Sequence, residues 1–380
     1  MLDLSKLRKE IDGVDEQLLS LLLKRMNLSK QVAEYKHEAG IPVLNSAREK
    51  EILDKIGAQA GEYGGACKVV YSTMMDVSRA LQHELLGGGK ELRQNIYQAL
   101  NKNEHIPNPI IACQGVPGAY SSEAAEKLYP GAETRFYEKF EHVFQAVESG
   151  EADYGIIPVE NSSAGSVHES YDLIIKYRFY IAAALELPVN HCLLGVKGCR
   201  FEEIKEVRSH PQGLMQCKEF IEKNGLTAVS CSNTAVAAET AAKMQNPSIA
   251  AISSKKAAEL YGLDIIQSNI QTSANNSTRF ISISKHMRID KNADKISMFF
   301  SLPHTTGSLY STLARFAVRG LNLTKIESRP IKDHKFQYYF YLDFTGNVRD
   351  EETINLLCAL HDELPAFSFL GNFPEYSPEK

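Results

Sequence analysis

The chain has 380 residues, 43% of them apolar and 23% charged, with a formal net charge of -5. That length exceeds one ordinary hydrophobic core, so two or three domains of a soluble globular protein are expected. The acidic balance and the lack of any Lys/Arg block argue against a nucleic-acid partner, and no apolar run approaches the ~20 residues of a membrane span. The opening MLDLSKLRKEID interleaves acids with apolar residues and does not read as a signal peptide. Seven scattered cysteines without a C-x-x-C pair fit neither a zinc site nor a disulfide framework, so reduced thiols and a cytoplasmic location are expected.

From Leu4 to about Ala39, apolar residues recur at steps of three and four: Leu4, Leu7, Ile11, Val14, Leu18, Leu21, Leu28, Val32 and Tyr35. The spacing predicts one amphipathic helix of roughly 50 Å. A stripe that long needs a partner, most simply a second copy of the chain. Arg25 occupies a stripe position where an aliphatic residue is expected, and burying an unpaired guanidinium is costly. Lys36, eleven residues on, lies within ~20° of Arg25 around the axis, and Arg8 lies just off the same stripe. A second helix starts near SAREKEIL, carrying Arg48 and Glu49 after Asn45 and Ser46. Ser46-x-x-Glu49 reads as a capping box, which alone would explain Glu49, while Asn45 suits an N-cap or turn. A third helix covers KVVYSTMMDVSRALQHELL, with Ser78 and Gln82 paired at i,i+4. Gly87-Gly88-Gly89 ends it, and the polar stretch to Pro107 reads as a linker.

From Asn108 short apolar strands alternate with helices. PIIACQ, YGIIPV, HCLLGV, EVRSH, AAISS and RFISIS are strand candidates; SSEAAEKLY, FEHVFQAVESG, LMQCKEFIEKNG and NTAVAAETAAKM are helix candidates. This is α/β, read as two lobes around a cleft. CQGVPGAYSSEAA sets two glycines between a strand and a helix start, an anion cradle, yet neither the dinucleotide nor the nucleoside triphosphate fingerprint is present. IIPVENSSAG, VRSHPQGLMQC and SNTAVAAE each follow a strand, where ligands of open α/β sheets bind. NSTRFISIS opens a strand with Thr278 and Arg279 beside Phe280, either an ordinary loop-to-strand junction or a place to hold a small anion and deliver a proton. From about Lys295 the order strand, helix, strand, strand, helix, strand predicts a ferredoxin-like α+β unit.

The helical segment resembles the all-α chorismate mutase family in L-R-x-x-I-x-x-x-D at Leu7–Asp15, Arg25, Lys36, Pro42-Val43, Arg48-Glu49 and Ser78-x-x-x-Gln82. The resemblance implies an intertwined dimer. Arg8 from the partner, Arg25 and Arg48 would hold the carboxylates of chorismate, Lys36 and Gln82 would donate to its ether oxygen, and Glu49 would accept from the ring hydroxyl. Ser78 and Asn45 complete the implied substrate-binding set, and Asn45 stands where a close relative would have Asp. G-x-P-G-A-Y-S, P-V-E-N-S, S-H-P-Q and T-R-F, in order, resemble prephenate dehydratase, with two lobes of periplasmic-binding-protein type. That resemblance implies Thr278 as the hydroxyl assisting departure of the substrate's ring hydroxyl. Arg279 and Phe280 would shape the site, and Asn161, Ser162, Ser209 and Gln216 would bind substrate.

The C-terminal segment resembles an ACT regulatory domain, in which Gly307, Ser308 and Leu309, with Asn322, Leu323, Glu327, Ser328, Arg329 and Pro330, would enclose phenylalanine between paired domains. Ser308 replaces the usual alanine. The three segments in this order resemble the bifunctional chorismate mutase–prephenate dehydratases. They imply chorismate and prephenate as substrates, L-phenylalanine as effector, no cofactor or metal, and at least a homodimer. The implied boundaries are a mutase over 1–88, a linker over 89–107, a dehydratase over 108–287 and an ACT domain over 295–376. Rival readings are a mutase–arogenate dehydratase and, as a non-enzyme, an amino-acid sensor on a binding-protein fold.

Overall fold

The computed structural model describes residues 3–102, 106–273, 275–305, 307–332 and 336–378, without the side chain of residue 84. Contacts divide the chain into two compact units, Met1–Gln98 with Met298–Phe369, and Ala99–Ser297 with Leu370–Lys380.

Helix α1 (Leu4–Ala39) starts behind Asp3, whose carboxylate accepts from Ser5 N at 2.9 Å. Of its residues only Ala33 is buried; the apolar stripe from Leu4 to Tyr35 is exposed. Helix α2 (Ser46–Gln59) is capped by Asn45, which accepts from Arg48 N at 3.0 Å. The expected capping box on Ser46 therefore does not form: the cap falls one residue earlier, and Glu49 is spared for another partner. Both α1 and α2 pack on α3 (Gly64–Leu86).

The stretch expected to be a linker contains a helix, α4 (Lys90–Asn101). Its buried residues Leu92, Ile96 and Ala99 follow steps of four and three, an apolar face diluted by polar neighbours. Residues 103–105 of the expected linker lie outside the described residues.

The α/β region opens with β1 (Ile110–Gln114), α5 (Tyr120–Leu128), β2 (Glu133–Tyr137), α6 (Phe140–Ser149), β3 (Tyr154–Asn161), β4 (Gly165–Ser166), α7 (His168–Tyr177) and β5 (Tyr180–Pro188). It continues through β6 (Cys192–Gly195), β7 (Glu206–Ser209), α8 (Pro211–Gln216), α9 (Lys218–Lys223), β8 (Thr227–Ser230), α10 (Thr234–Met244), β9 (Ile249–Ser253), α11 (Lys255–Tyr261) and β10 (Asp264–Gln267), and returns as β11 (Ser277–Ser284). The sequence patterns missed β2, β4, α7, β5, β8, α11 and β10, and the helix expected over LMQCKEFIEKNG is two helices. Cys217 breaks it at φ -107° and ψ 16° while its side chain is fully buried.

The last segment supplies β12 (Lys295–Ser301), α12 (Ser308–Val318), β13 (Leu323–Pro330), β14 (Tyr338–Thr345), α13 (Glu351–Glu363), β15 (Ser368–Phe373) and β16 (Glu375–Tyr376). The strands form three sheets. One runs β16-β5-β11-β3-β1-β2 with β4 on β3, a second β10-β6-β9-β7-β8, and a third β13-β14-β12-β15. The third is the ferredoxin-like order that the sequence predicts.

The first two sheets are the two lobes. The chain crosses from β5 to β6 and back from β10 to β11, which inserts antiparallel between β3 and β5. Each lobe has its own core. Ile111, Cys113, Ile156, Leu185 and Phe280 pack against Ala124 and Ala125 of α5. In the second lobe, neighbours Leu193 and Leu194 point to opposite faces: Leu193 joins Cys217 and Ile221, Leu194 joins the alanines of α10. Burial on both faces explains why these strands read as continuous apolar runs.

Candidate active sites

In the helical segment, α3 organises the residues singled out from the sequence. Arg25 Nη1 donates to Ser78 Oγ at 2.7 Å and reaches Met74 O at 3.4 Å, so the misplaced guanidinium of the apolar stripe is held by α3. Lys36 Nζ donates to Val43 O at 2.5 Å, back across the turn after α1. Burial lowers the Lys36 pKa; the Glu49 carboxylate raises it and the Arg79 guanidinium lowers it. Ser78 and Gln82 are buried, and Gln82 Oε1 has no hydrogen-bond partner among the described residues. Glu49 pairs with Arg79. Arg8 is exposed, and Arg48 makes an exposed pair with Glu51 at 2.7 Å. Asn45 is occupied as the α2 cap. Arg79 was missed by sequence reasoning, although it sits between Ser78 and Gln82 and three residues after Asp76, a helical ion-pair spacing.

Between the lobes of the α/β region lies a cavity of ≈ 320 Å³, formed by the ends of β1 and β3, the start of β11 and the starts of α5, α8 and α10. Thr278, Phe280, Asn161 and Gln216 line it; Arg279, Ser162 and Ser209 do not. Strand alternation turns Arg279 away, and its Nε donates to Glu375 Oε1 at 2.6 Å. Ser162 Oγ accepts from Ser277 N and donates to Asn275 O, pinning the turn before β11. Ser209 is fully buried and donates to Ile252 O at 2.7 Å. It also abuts α8, since a Cβ on Gly213 would lie 2.8 Å from Ser209 Oγ.

Asn161 is the centre of the cavity wall. Its Nδ2 shares two protons among Asn276 Oδ1 (2.9 Å), Ser277 O (3.0 Å) and Thr278 Oγ1 (3.0 Å), while its Oδ1 accepts from Ser163 N and Ala164 N. Acceptors crowd one end of the amide and donors the other, which fixes its orientation. Thr278 Oγ1, which lines the cavity, accepts here and makes no described hydrogen bond as a donor. Gln216 extends the chain: Nε2 lies 3.5 Å from Asn161 Oδ1, and Oε1 is 2.8 Å from His191 Nε2. Burial lowers the His191 pKa, with Gln216 opposing, and Tyr120 OH stands 3.3 Å from His191 Nδ1. Tyr120 lies in a stretch that the sequence marks; His191 does not, because a histidine opening a strand carries no distinctive pattern.

The described lining contains no Lys, Arg, Asp or Glu. What it offers an anion is neutral: side-chain donors such as Gln212, Gln216 and Thr278, beside the starts of α5 and α10, where Asn233 already caps Ala235 N. Gly115, at φ +105°, makes the approach to α5; a Cβ there would lie 3.0 Å from Asn233 Nδ2. Among the described residues no cluster of His, Cys, Asp and Glu is placed to hold a metal.

In the C-terminal segment Gly307, at φ +83°, caps α12, and Ser308 and Leu309 line a cavity of ≈ 490 Å³ with His304, Tyr338 and Phe340. Asn322 O accepts from Thr345 N, and Leu323, Glu327, Ser328, Arg329 and Pro330 lie on the edge strand β13, outside that cavity.

Two protein families match the chain: "Chorismate mutase type II" over residues 7–83 and "Prephenate dehydratase" over residues 111–288. A bifunctional chorismate mutase/prephenate dehydratase of Aquifex aeolicus (strain VF5) is 33% identical over 379 residues, covering 99% of each chain. Arogenate dehydratase/prephenate dehydratase 1 of Arabidopsis thaliana is 41% identical over 280 residues, 70% of this chain and 71% of its own. Among solved structures, prephenate dehydratase of Arthrobacter aurescens in complex with L-Phe superposes with a TM-score of 0.63 at 29% identity, over 70% of this chain and 89% of its own. With one relative aligned from end to end and the helical and α/β regions each matched in turn, the chain belongs to the bifunctional chorismate mutase/prephenate dehydratase family.

Proposed function

We propose that the helical segment rearranges chorismate to prephenate, that the two-lobed cavity converts prephenate to phenylpyruvate, and that L-phenylalanine restrains the enzyme through its C-terminal segment. The rearrangement is pericyclic: one C–O bond breaks as one C–C bond forms, and no acid, base or nucleophile is required. Fixed cations and donors are what its transition state can use. Arg25, Arg48 and Arg8 of a second copy take the carboxylates; the Arg48–Glu51 surface pair is weak enough to yield to substrate. Lys36 and Gln82 donate to the ether oxygen, with Ser78 steadying Arg25. Glu49 accepts from the ring hydroxyl, beside Asn45.

In the second reaction the dianion loses carbon dioxide, whose bonding pair enters the ring, and the ring hydroxyl departs as water with one proton taken up. Thr278 donates to that hydroxyl. A neutral threonine is a weak acid and serves only if positioned. The observation that supports this reading is the Asn161–Thr278 hydrogen bond, in which the cavity-lining threonine oxygen accepts and so keeps its own proton to give. Phe280, Asn161 and Gln216 shape and bind the substrate, whereas Ser162, Ser209 and Arg279 act from behind the wall. Prephenate is favoured over arogenate because no described lining residue is a carboxylate that could meet arogenate's ammonium.

The ferredoxin-like order and the Gly307–Leu309 turn support an ACT domain, and the phenylalanine-bound relative supports the effector. β13 is an edge strand whose Ser328 and Pro330 pair with the cavity-lining Phe340 and Tyr338 but do not line the cavity themselves, and its open edge suits completion of the effector site by a second copy. The exposed stripe of α1 supports the same oligomer. No described helix is long and apolar enough to cross a membrane, and a cytoplasmic enzyme is proposed. The boundaries proposed are 1–88, 108–287 and 295–376, with α4 inside the intervening stretch.

The test supplies chorismate to the purified protein without cofactor. Prephenate should form and give way to phenylpyruvate, more slowly with phenylalanine present. Thr278→Val should lower the dehydratase rate about 100-fold or more, as for loss of a positioned proton donor, and leave the mutase unchanged. Phenylpyruvate formed at the normal rate by that variant would remove Thr278 from the chemistry. A better rate with arogenate would reassign the substrate, and binding without turnover would favour a sensor.

A further inference from the structure

Arg79 lies at the centre of a largely buried group of charges of which the roles above use only Glu49. Its guanidinium meets three carboxylates: Glu49 on α2, Asp76 one turn earlier on α3, and Glu363 at the end of α13, where Nε and Oε2 are 3.2 Å apart. Glu363 also takes Arg315 of α12, and His83 Nε2 stands 2.8 Å from its Oε1. All of these side chains are at most 9% exposed except Glu49, at 25%. Burial pushes the Glu363 carboxyl up, yet the His83 hydrogen bond and the Arg315 and Arg79 charges outweigh it and hold the group at about 2. Glu363 is therefore an anion at neutral pH.

The geometry has a direction. Glu49 is the one member that reaches toward solvent, and a glutamate on a helix surface otherwise samples several rotamers. Arg79 removes that freedom, and a planar guanidinium bound on three edges cannot turn without breaking a buried pair. One of those edges comes from residue 363, far beyond residues 7–83 that match the mutase family.

We propose that Arg79 and Glu363 are positioning residues of the mutase site: Arg79 fixes the Glu49 carboxylate, and Glu363, contributed by the C-terminal segment, fixes Arg79. This rests on the assignment of Glu49 to the ring hydroxyl of chorismate. A ground-state contact of that kind is made alike in the bound substrate and the transition state, so its disturbance raises KM rather than lowering kcat. A purely structural tie would lower the amount of folded enzyme and leave KM alone.

The experiment is a double-mutant cycle in the full-length protein, with dehydratase turnover of added prephenate as the control for folding. Glu363→Gln keeps the shape and removes the charge. It should raise the KM for chorismate about tenfold with kcat within about twofold, the scale of one weakened charged hydrogen bond. In a Glu49→Gln background the same change should add nothing, because both variants disturb one contact. Arg79→Lys, which keeps charge but loses the fork, should repeat the KM effect. A Glu363→Gln enzyme with normal KM, or with the same rise in both backgrounds, overturns the proposal while leaving Glu49 in place. A normal KM for Glu49→Gln removes the assignment and the proposal with it. If Glu363→Gln also lowers dehydratase turnover, Glu363→Asp is to be read in the same cycle.

Discussion

Lys36 illustrates how neighbours set a single residue's chemistry. Its ammonium donates to Val43 O, and burial draws its pKa below the 10.5 of an ordinary lysine. The charged form is the proposed donor to the ether oxygen, so mutase kcat/KM should stay level at lower pH and fall as pH rises through that depressed value. Glu49 raises the lysine pKa, so Glu49→Gln should move this alkaline limb to lower pH. Arg79 lowers it, so Arg79→Met should move the limb upward. A pH–rate profile with no limb below 10.5, or one indifferent to both variants, would exclude Lys36 as the donor. The neighbouring question at Thr278 was half legible: the N-S-T-R-F string marks the strand start, but only alternation on β11 separates Thr278 and Phe280, which face the cavity, from Arg279, which pairs with Glu375.

Among the elements, α4 is the instructive one. Lys, Glu, Arg, Gln and Asn dominate residues 90–101, and the composition hides three apolar residues at helical spacing. Ile96 is fully buried. Ile96→Ala should therefore cost about 2–5 kcal/mol, as deletion of buried methyl groups does. Thermal or denaturant unfolding measures it, and a loss below about 0.5 kcal/mol, the scale of a surface change, would return this stretch to linker status. The same diluted patterning hid α7, whereas β5 was missed because YIAAALELP is apolar but for Glu186 and lacks sustained alternation. Helix α1 was legible from its stripe alone, and the structure adds that α3 covers only the Arg25–Ala33 side of it.

For the whole molecule, an exposed stripe from Leu4 to Tyr35 is a surface that a soluble chain does not leave uncovered. The proposed partner is a second copy, which would also bring Arg8 to the first active site. Leu18 and Leu21, 58% and 63% exposed, lie mid-stripe. The double variant Leu18→Glu/Leu21→Glu should shift sedimentation toward smaller species. It should lower mutase activity more than tenfold, the range seen when an interface anchor is lost, with dehydratase turnover retained. An unchanged sedimentation coefficient would point the stripe to some other cover.

The residue string by itself determined the division into helical, α/β and ferredoxin-like segments. Periodicity and order are local properties, and each segment's grammar follows from which faces its elements bury. It also marked Arg25, Thr278 and Asn161, because a charge in an apolar stripe or a polar cluster at a strand end stands out locally, whereas Lys36 and Glu49 were marked by the family resemblance. Tertiary structure alone decided which of these meet. His191 joins Gln216 across 25 residues, Asn161 meets Thr278 across 117, and Arg79 meets Glu363 across 284. Such contacts arise from strand insertion and helix packing between distant segments, and no spacing within the chain records them.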